Sequence, residues 1–337
     1  MRMRFLLILF LSLFPAMLEA QGIGHKREVD EFIGQMVEAH GFDRTELETL
    51  FARVDHVETV VRLVSPAPSS KPKDWHAYRA LFVNRTRIEG GVVYWNKYQA
   101  ALSRASAKYD VPPEIIVAII GVETLYGRHT GSFRVLDALS TLAFDYPETS
   151  NREARMAFFR GELENALVFA RQSGIDPLSL YGSYAGAIGM PQFMPGSIMK
   201  YGIDFDGDGK IDLERSPVDA IGSVANFLAM HGWRKGEGLV YPVSIRSGNE
   251  EWKSLAGDMS ARFSLKKLES SGIYPRVDTP ELSFGLIDLQ NGNRPAQYWL
   301  GTDNFFVIAQ YNRSYYYAMS VVDLGKAVKK ARSIHAR

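Results

Sequence analysis

Cysteine is absent from the 337-residue sequence. Its absence excludes disulfide bonds, metal sites built on cysteine and a lipid anchor attached to a cysteine. Excess charge of either sign is nearly absent too, because 39 basic side chains are matched by 38 acidic ones. Binding to nucleic acid depends on a basic surface. The balance therefore argues against nucleic acid as the main partner.

Long hydrophobic runs are scarce. The apolar run at residues 5–14 is shorter than the roughly 20 residues that a membrane-spanning helix needs. It follows two arginines, Arg2 and Arg4, and the small residue Ala20 comes shortly after it. This layout predicts a signal peptide over residues 1–20, cleaved after Ala20, with an uncleaved N-terminal anchor as the alternative. We expect an exported, soluble protein.

Several common catalytic patterns are missing from the sequence. No Ser-His-Asp set and no phosphate-binding glycine loop is evident, and the histidines do not fall at zinc-ligand spacing. Four histidines are therefore interpreted as surface or packing residues: His40, His56, His129 and His231.

A buried helix with one carboxylate is the central feature that the sequence does contain. Residues 112–127 read as a helix, and residues 115–122 include no polar side chain, which is typical of a helix enclosed in a core. Glu123 follows directly. A lone carboxylate at such a helix end loses hydration, so its pKa rises towards the range that a general acid needs. The alternative is a structural Glu123 paired with a cation such as Arg128.

Apolar spacing and end signals outline the rest of the chain. Asp110 is predicted to cap the buried helix and Gly127 to end it, while Asp43 and Glu46 resemble a capping box. Further helices are predicted over residues 28–40, 92–108, 135–144, 154–172, 218–231 and 317–331. Short strands are predicted over 239–245 and 281–289, with a loop over 65–73.

An aspartate-rich loop over residues 204–219 resembles an EF-hand. Loop positions one, three, five and six hold Asp204, Asp206, Asp208 and Gly209. Carboxylates at this spacing converge on a hard cation, and position seven, Lys210, would bind through its backbone carbonyl. Arg215 occupies position twelve, where a glutamate is expected, so Asp219 or Glu214 would complete the site. The prediction is a structural Ca²⁺ site, with a plain Asp/Gly turn as the alternative.

A glycine-rich segment over residues 182–195 contains the polar side chains Ser183 and Gln192. Small residues let backbone approach a ligand, and these two side chains suit a substrate rich in hydroxyls and amides. An aromatic segment over residues 298–317 includes Tyr311, Asn312 and Tyr317, and aromatic faces with polar tips can line a sugar groove. A structural turn and an ordinary core are the respective alternatives.

Several ordered motifs together resemble the lytic murein transglycosylase B family, whose members cleave the glycan strands of peptidoglycan. They are VVYWNKY at 92–98, VPPEII at 111–116, GVET at 121–124, GELE at 161–164, the segment 183–195, PVDAIGSVAN at 217–226, HGW at 231–233, YNRS at 311–314 and LGKA at 324–327. The resemblance implies a mainly α (α+β) fold with a lysozyme-like catalytic core. It implies a catalytic domain over residues 24–330, with the core at about 109–235 and a small β region at about 239–290.

The resemblance also implies roles for individual residues. Glu123 falls on the family's single catalytic acid/base, and five residues fall on the substrate cleft: Ser183, Gln192, Tyr311, Asn312 and Tyr317. The ligands of the family's calcium loop correspond to Asp204, Asp206, Asp208, the backbone carbonyl of Lys210, and Asp219. Two departures are Phe227, where the family has a tyrosine, and a longer segment over 148–155.

The implied activity is non-hydrolytic cleavage between N-acetylmuramic acid and N-acetylglucosamine, which leaves 1,6-anhydromuramic ends. The alternatives are a hydrolytic muramidase and a non-catalytic wall-binding module. The best-known family members are lipid-anchored through a cysteine. Since this sequence has none, we expect a soluble periplasmic form that binds glycan strands, with cell-wall synthases as candidate partners.

Overall fold

The computed structural model describes residues 26–65, 72–246, 248 and 250–335. The predicted signal peptide and most of the predicted loop at 65–73 lie outside these residues. The chain divides into a small unit, residues 1–56, and a large unit, residues 57–337.

Helices dominate the described residues, which confirms the predicted mainly α class. The helices are α1 (Lys26–His40), α2 (Arg44–Phe51), α3 (Glu58–Val64), α4 (Trp75–Phe82), α5 (Arg85–Lys97), α6 (Gln99–Tyr109), α7 (Pro113–Thr124), α8 (Val135–Phe144), α9 (Arg152–Ser173), α10 (Pro195–Tyr201), α11 (Pro217–Met230), α12 (Leu265–Ser270), α13 (Asp303–Ala309) and α14 (Tyr315–His335). The strands are β1 (Phe133–Arg134), β2 (Tyr181–Gly182), β3 (Val240–Ile245), β4 (Phe263–Ser264), β5 (Ile273–Pro275), β6 (Ser283–Asn291) and β7 (Arg294–Gly301). Short 3-10 helices lie at Pro177–Ser179 and Glu251–Leu255.

The small unit contains the helix pair α1 and α2. The rings of Phe32 and Phe51 meet edge to face, with centroids 5.9 Å apart. Asp43 precedes α2, and its carboxylate accepts a hydrogen bond of 2.9 Å from the Glu46 N–H. The predicted helix cap is therefore present.

Helix α7 lies at the centre of the large unit. It packs against α5, α6, α11 and α14. Every residue from 115 to 122 is buried, as the apolar run predicts.

Both predicted end signals of α7 are wrong. Asp110 does not cap the helix: it ends α6 in a left-handed conformation (φ 58°), and its carboxylate pairs with Lys235 at 2.6 Å. Pro112 occupies the N-cap position, and no side chain caps the helix there. At the other end, Leu125 already turns left-handed (φ 51°), so the helix stops before Gly127.

The helix predicted over 92–108 is also wrong as a single element. The helix is interrupted at Tyr98, whose non-helical backbone (φ −109°, ψ 26°) caps the end of α5 and the start of α6. The ring of Tyr98 packs on that of Tyr94, with centroids 4.8 Å apart. Apolar spacing continues across this break, so periodicity alone does not show it.

An antiparallel sheet forms the β region, with strands in the order β4-β6-β7-β3-β5. Strands β3 and β6 match the two predicted strands closely. The sheet packs on a small core of its own, formed by Val243, Leu255, Leu268, Ile273, Phe284, Leu286 and Leu300. A separate ribbon pairs β1 with β2 and leads directly into the glycine-rich segment.

Among the helices of the described residues, none is both long enough and apolar enough to cross a membrane.

Candidate active site

The carboxyl group of Glu123 lies at the C-terminal end of α7. Glu123 is the last residue but one of that helix and is partly exposed. Its Oε1 accepts a hydrogen bond of 2.6 Å from the hydroxyl of Tyr317, in the first turn of α14. Across the described ranges no ion pair involves Glu123, and Arg128 is exposed. The alternative that pairs Glu123 with Arg128 is therefore not what the structure shows.

The surroundings of Glu123 favour its neutral form. Glu123 as a residue keeps some exposed surface, but its carboxyl group is enclosed. This burial raises the pKa of the carboxyl from 4.5 to about 7, against the opposing effect of the Tyr317 hydrogen bond. Desolvation penalises the carboxylate, while a donor stabilises it. A carboxyl with a pKa near neutrality can give a proton and take one back at the same pH.

Tyrosines surround the acid. The ring of Tyr311 stacks on that of Tyr317, with centroids 6.0 Å apart and planes at 16°. Burial and the charge of Glu123 both raise the pKa of Tyr311. They also raise the pKa of Tyr78, on α4. The sequence interpretation missed Tyr78, although its position three residues after Trp75 was a usable aromatic signal.

The glycine-rich segment is fastened beside the end of α7. The hydroxyl of Tyr311 donates to the Pro191 carbonyl at 2.6 Å. Gln192 adopts a left-handed backbone (φ 53°), and its side-chain amide donates to the carbonyls of Thr130 and Gly189 at 3.0 and 2.9 Å. A left-handed glutamine is strained, and such strain is concentrated at functional sites. The Gln192 side-chain oxygen accepts no hydrogen bond from the described residues.

Ser183 is the second residue of the same segment. Its Oγ accepts from the N–H groups of Ala185 and Ala187 at 3.3 and 3.0 Å, which closes a tight turn. The hydroxyl proton is therefore available to an outside acceptor. Asn312, by contrast, is exposed, and no hydrogen bond joins it to the other predicted site residues in the described chain.

The side chain of Tyr126, called here the tyrosine wedge, packs against the C-terminal end of α7 and fixes its position. Leu125 and Tyr126 are both left-handed (φ 51° and 61°), and they turn the Tyr126 ring back against the helix. The hydroxyl of Tyr126 donates to the Arg87 carbonyl at 2.7 Å, and the Arg87 guanidinium donates to the Gly121 carbonyl at 3.1 Å. A Cβ at Gly121 would lie 2.5 Å from the Tyr126 oxygen, so only glycine leaves room for the ring.

An aromatic cluster continues from Tyr311 to Phe227 and His231. The Phe227 ring lies 4.8 Å from that of Tyr311 and 4.0 Å from that of His231 (centroid distances). His231 also bonds the Phe227 carbonyl at 2.7 Å and lies 3.4 Å from the Tyr201 hydroxyl. The geometry of His231 is that of a packing residue, as the sequence predicts.

The aspartate-rich loop brings three of its predicted ligands together. Carboxylate oxygens of Asp204, Asp206 and Asp219 lie within 4.8 Å of one another. Asp219 is 1% exposed, and its carboxylate accepts three backbone N–H groups. The Asp208 carboxylate instead accepts the Lys210 N–H at 2.9 Å and stands outside this cluster.

The aspartate-rich loop connects to the glycine-rich segment through its backbone. The Met190 N–H donates to the Leu213 carbonyl at 2.8 Å. A Cβ at Gly189 would lie 2.3 Å from that same carbonyl oxygen. The two segments are therefore in direct contact.

Comparisons with known proteins identify the family of this chain. The transglycosylase SLT domain family matches residues 24–326. The membrane-bound lytic murein transglycosylase B of Escherichia coli (strain K12) is 43% identical over 313 residues, which cover 90% of this chain and 82% of the relative.

Two solved structures show the same fold. The Escherichia coli lytic transglycosylase Slt35 in complex with calcium superposes with a TM-score of 0.81 at 42% identity, over 91% of this chain and 94% of the other. SltB3 from Pseudomonas aeruginosa in complex with NAG-anhNAM-pentapeptide superposes with a TM-score of 0.73 at 29% identity, over 90% and 79%. The predicted lysozyme-like class is confirmed.

Proposed function

Because this chain belongs to the transglycosylase SLT domain family, we propose that it is a peptidoglycan lytic transglycosylase in which Glu123 is both the acid and the base. Two of the relatives named above are called lytic transglycosylases, and the third, SltB3, binds NAG-anhNAM-pentapeptide. The proposal assigns to Glu123 the two proton transfers of the reaction.

One observation supports this role most directly: the pKa of Glu123 is raised to about 7 by burial, beside the Tyr317 hydroxyl. Most glycosidases that hydrolyse their substrate use a pair of carboxyl groups. Within the described residues, no second carboxylate contributes to the pKa of Glu123. A single carboxyl group that changes role fits a reaction in which the substrate supplies its own nucleophile.

The proposed chemistry has two steps. Neutral Glu123 protonates the oxygen that bridges C1 of N-acetylmuramic acid to C4 of N-acetylglucosamine, and the C1–O bond breaks. The acetamido group of the muramic residue stabilises the cationic C1. The Glu123 carboxylate then takes the proton of the C6 hydroxyl, whose oxygen bonds to C1. The product is a 1,6-anhydro ring, and Glu123 ends protonated again.

Substrate contacts are proposed for the side chains around Glu123. Ser183 offers its hydroxyl proton and Gln192 its side-chain oxygen, since their other groups are engaged within the segment. The partly exposed ring of Tyr311 suits the apolar face of a sugar. Tyr317 is 2% exposed, so its proposed part in the cleft is to hold Glu123 by its hydroxyl and to support the Tyr311 ring from behind. Asn312 is exposed and free to meet a ligand that extends past Tyr311.

The decisive experiment is a digest of purified peptidoglycan, analysed by mass spectrometry of the soluble muropeptides. We expect 1,6-anhydro ends from the wild type and none from Glu123→Gln. Glu114→Gln is the matched control, because Glu114 lies at the opposite end of α7 and pairs with Lys329 at 2.6 Å. Hydrated reducing ends would show a muramidase. Undiminished cleavage by a folded Glu123→Gln variant would refute the assignment.

A structural Ca²⁺ ion is also proposed for the aspartate-rich loop. Oxygen ligands of Ca²⁺ lie about 2.3–2.6 Å from the ion, so ligands of one shell fall within roughly 5 Å of each other. The carboxylates of Asp204, Asp206 and Asp219 meet that condition at 4.8 Å. Asp208 and the Lys210 carbonyl are proposed to complete the shell. When bound, the ion would neutralise carboxylates that crowd together and tie the loop down.

The test of the calcium proposal is the melting temperature with and without Ca²⁺. We expect Ca²⁺ to raise it more than Mg²⁺ does, because ligand binding to the folded state stabilises that state. Asp206→Asn should abolish the rise, while Asp278→Asn, at an exposed position outside the loop, should retain it. An unchanged melting temperature in the wild type would contradict the proposal.

The proposed site of action is the periplasm, where a chain exported by the predicted signal peptide would meet the glycan strands. Cell fractionation with an antibody against the chain tests this. Recovery in the cytoplasmic fraction would count against it. Cell-wall synthases stay proposed partners.

A further inference from the structure

We propose that Thr124 is a positioning residue that holds the Glu123 carboxyl in register with the glycine-rich segment. Thr124 follows Glu123 directly and is 1% exposed. The inference rests on the proposed role of Glu123 and adds a residue that aligns the acid without touching substrate.

The Thr124 hydroxyl bonds to backbone groups both as a donor and as an acceptor. It donates to the Met190 carbonyl at 2.8 Å and accepts the Gly127 N–H at 3.0 Å. The Ile120 carbonyl, which a helical threonine often bonds instead, lies farther away at 3.3 Å. The hydroxyl thus joins the last turn of α7 to a segment 66 residues later in the chain.

The peptide group that accepts this bond is itself fixed. The Met190 N–H donates to the Leu213 carbonyl at 2.8 Å. The Met190 side chain lies against Gly127, where a Cβ would come 3.1 Å from its Cγ. Gly127 has a φ of +86°, so this close packing and its backbone conformation both favour glycine. Thr124, Gly127 and Met190 therefore interlock.

This interlock sets the distance between the Glu123 carboxyl and the side chains that are proposed to bind the substrate. Gln192 lies two residues beyond Met190, and the Pro191 carbonyl between them is held by Tyr311. Glu123 lies one residue before Thr124. Displacement of a reacting group by about 1 Å can reduce a rate by about 100-fold. A hydroxyl that locks both segments together therefore governs the alignment of the reaction.

The experiment compares substitutions that separate the hydroxyl from the methyl group. Thr124→Val keeps the shape and loses the hydroxyl, while Thr124→Ser keeps the hydroxyl. The matched control is Thr141→Val, since Thr141 is also fully buried and its hydroxyl accepts the Val57 N–H at 3.0 Å. The readouts are kcat, KM and the pH dependence of kcat on soluble glycan strands, with melting temperatures for each variant.

We expect Thr124→Val to lower kcat by about 10- to 100-fold with little change in KM. We also expect its activity to fall at lower pH than that of the wild type, because a loosened helix end admits water to Glu123. Thr124→Ser should recover most of kcat. Thr141→Val should lower the melting temperature and leave kcat and its pH dependence unchanged. If Thr124→Val does not fold, Thr124→Ala against Thr124→Ser repeats the comparison, since both lack the methyl group.

The inference is overturned if Thr124→Val keeps the wild-type kcat and pH profile, or if Thr124→Ser is as impaired as Thr124→Val. Glu123→Gln, assayed alongside, separates the two proposals. An active Glu123→Gln variant refutes the proposed function. An inactive Glu123→Gln variant beside an unaffected Thr124→Val variant refutes only the positioning role.

Discussion

The hydrogen bond between Tyr317 and Glu123 gives a quantitative prediction for Tyr317→Phe. The substitution removes the 2.6 Å donor while keeping the ring. The bond lowers the pKa of Glu123, opposing the rise caused by burial. A hydrogen bond to a charged group contributes about 1.5–3 kcal/mol, and a pKa unit corresponds to about 1.4 kcal/mol. Loss of the bond should therefore raise the pKa of Glu123 by about one to two units.

The consequence is a shift in pH dependence. The first step needs protonated Glu123, so activity of the wild type falls as the pH rises through about 7. In Tyr317→Phe this decline should move to higher pH by one to two units, whatever the change in the maximal rate. The assay is kcat/KM for release of anhydromuropeptides, measured across about pH 5–10.

Tyr316→Phe is the control for this measurement. Tyr316 is the neighbouring residue, and its hydroxyl donates to the Gln290 carbonyl at 2.7 Å rather than to Glu123. Its pH profile should match that of the wild type. A Tyr317→Phe profile that is unchanged, or moved to lower pH, would refute the reasoning.

Three further predictions concern stability. Glu123→Gln should gain stability over the wild type by up to roughly 3 kcal/mol, because the folded-state pKa of Glu123 is raised from 4.5 to about 7. In the wild type, neutral Glu123 contributes its full stability below pH 4.5, and this contribution is lost as the pH rises through 7. The difference in unfolding free energy between Glu123→Gln and the wild type, measured by urea denaturation, should therefore be larger at pH 8 than at pH 4.5. An equal difference at the two pH values would contradict the prediction. Gly121→Ala should destabilise by about 1–3 kcal/mol through collision with Tyr126, whereas Gly161→Ala, where nothing lies within 4 Å, should be neutral or stabilising in the same assay; equal effects would contradict the wedge. Asp219→Asn should abolish Ca²⁺ binding in isothermal titration and lower the melting temperature without Ca²⁺, because an amide replaces an oxygen that accepts the Asp212 N–H; retained binding would remove Asp219 from the proposed shell.

Sequence patterns predicted best the features that a short stretch determines by itself. The apolar run at 115–122, between a proline pair and an acid, predicts a buried helix, and the structure has one there. The ends of that helix were mispredicted because distant groups decide them. Asp110 pairs with Lys235, and its carbonyl accepts the Trp233 indole N–H across 123 residues. Tertiary contacts of this kind override local capping preference.

The candidate site shows the same division. Glu123 could be identified from its own helix, because one acid after eight apolar residues is conspicuous. Spacing does not identify its hydrogen-bond partner: the aromatic segment only marks Tyr317 as one of several candidate cleft residues, and no sequence pattern pairs it with Glu123. Tyr78 and Thr124 escaped the sequence interpretation. Tyr78 matters because it lies within the electrostatic reach of Glu123, and Thr124 because it bonds to Met190; no local pattern encodes either relation.

The separation of 194 residues between Glu123 and Tyr317 has a consequence for biosynthesis. A nascent chain that stops short of Tyr317 carries the acid but lacks the hydroxyl that tunes it and the last helix that encloses it. Such a fragment should be harmless to glycan. An enzyme that cuts the wall of its own cell would thus acquire its full catalytic power only when its synthesis is nearly finished.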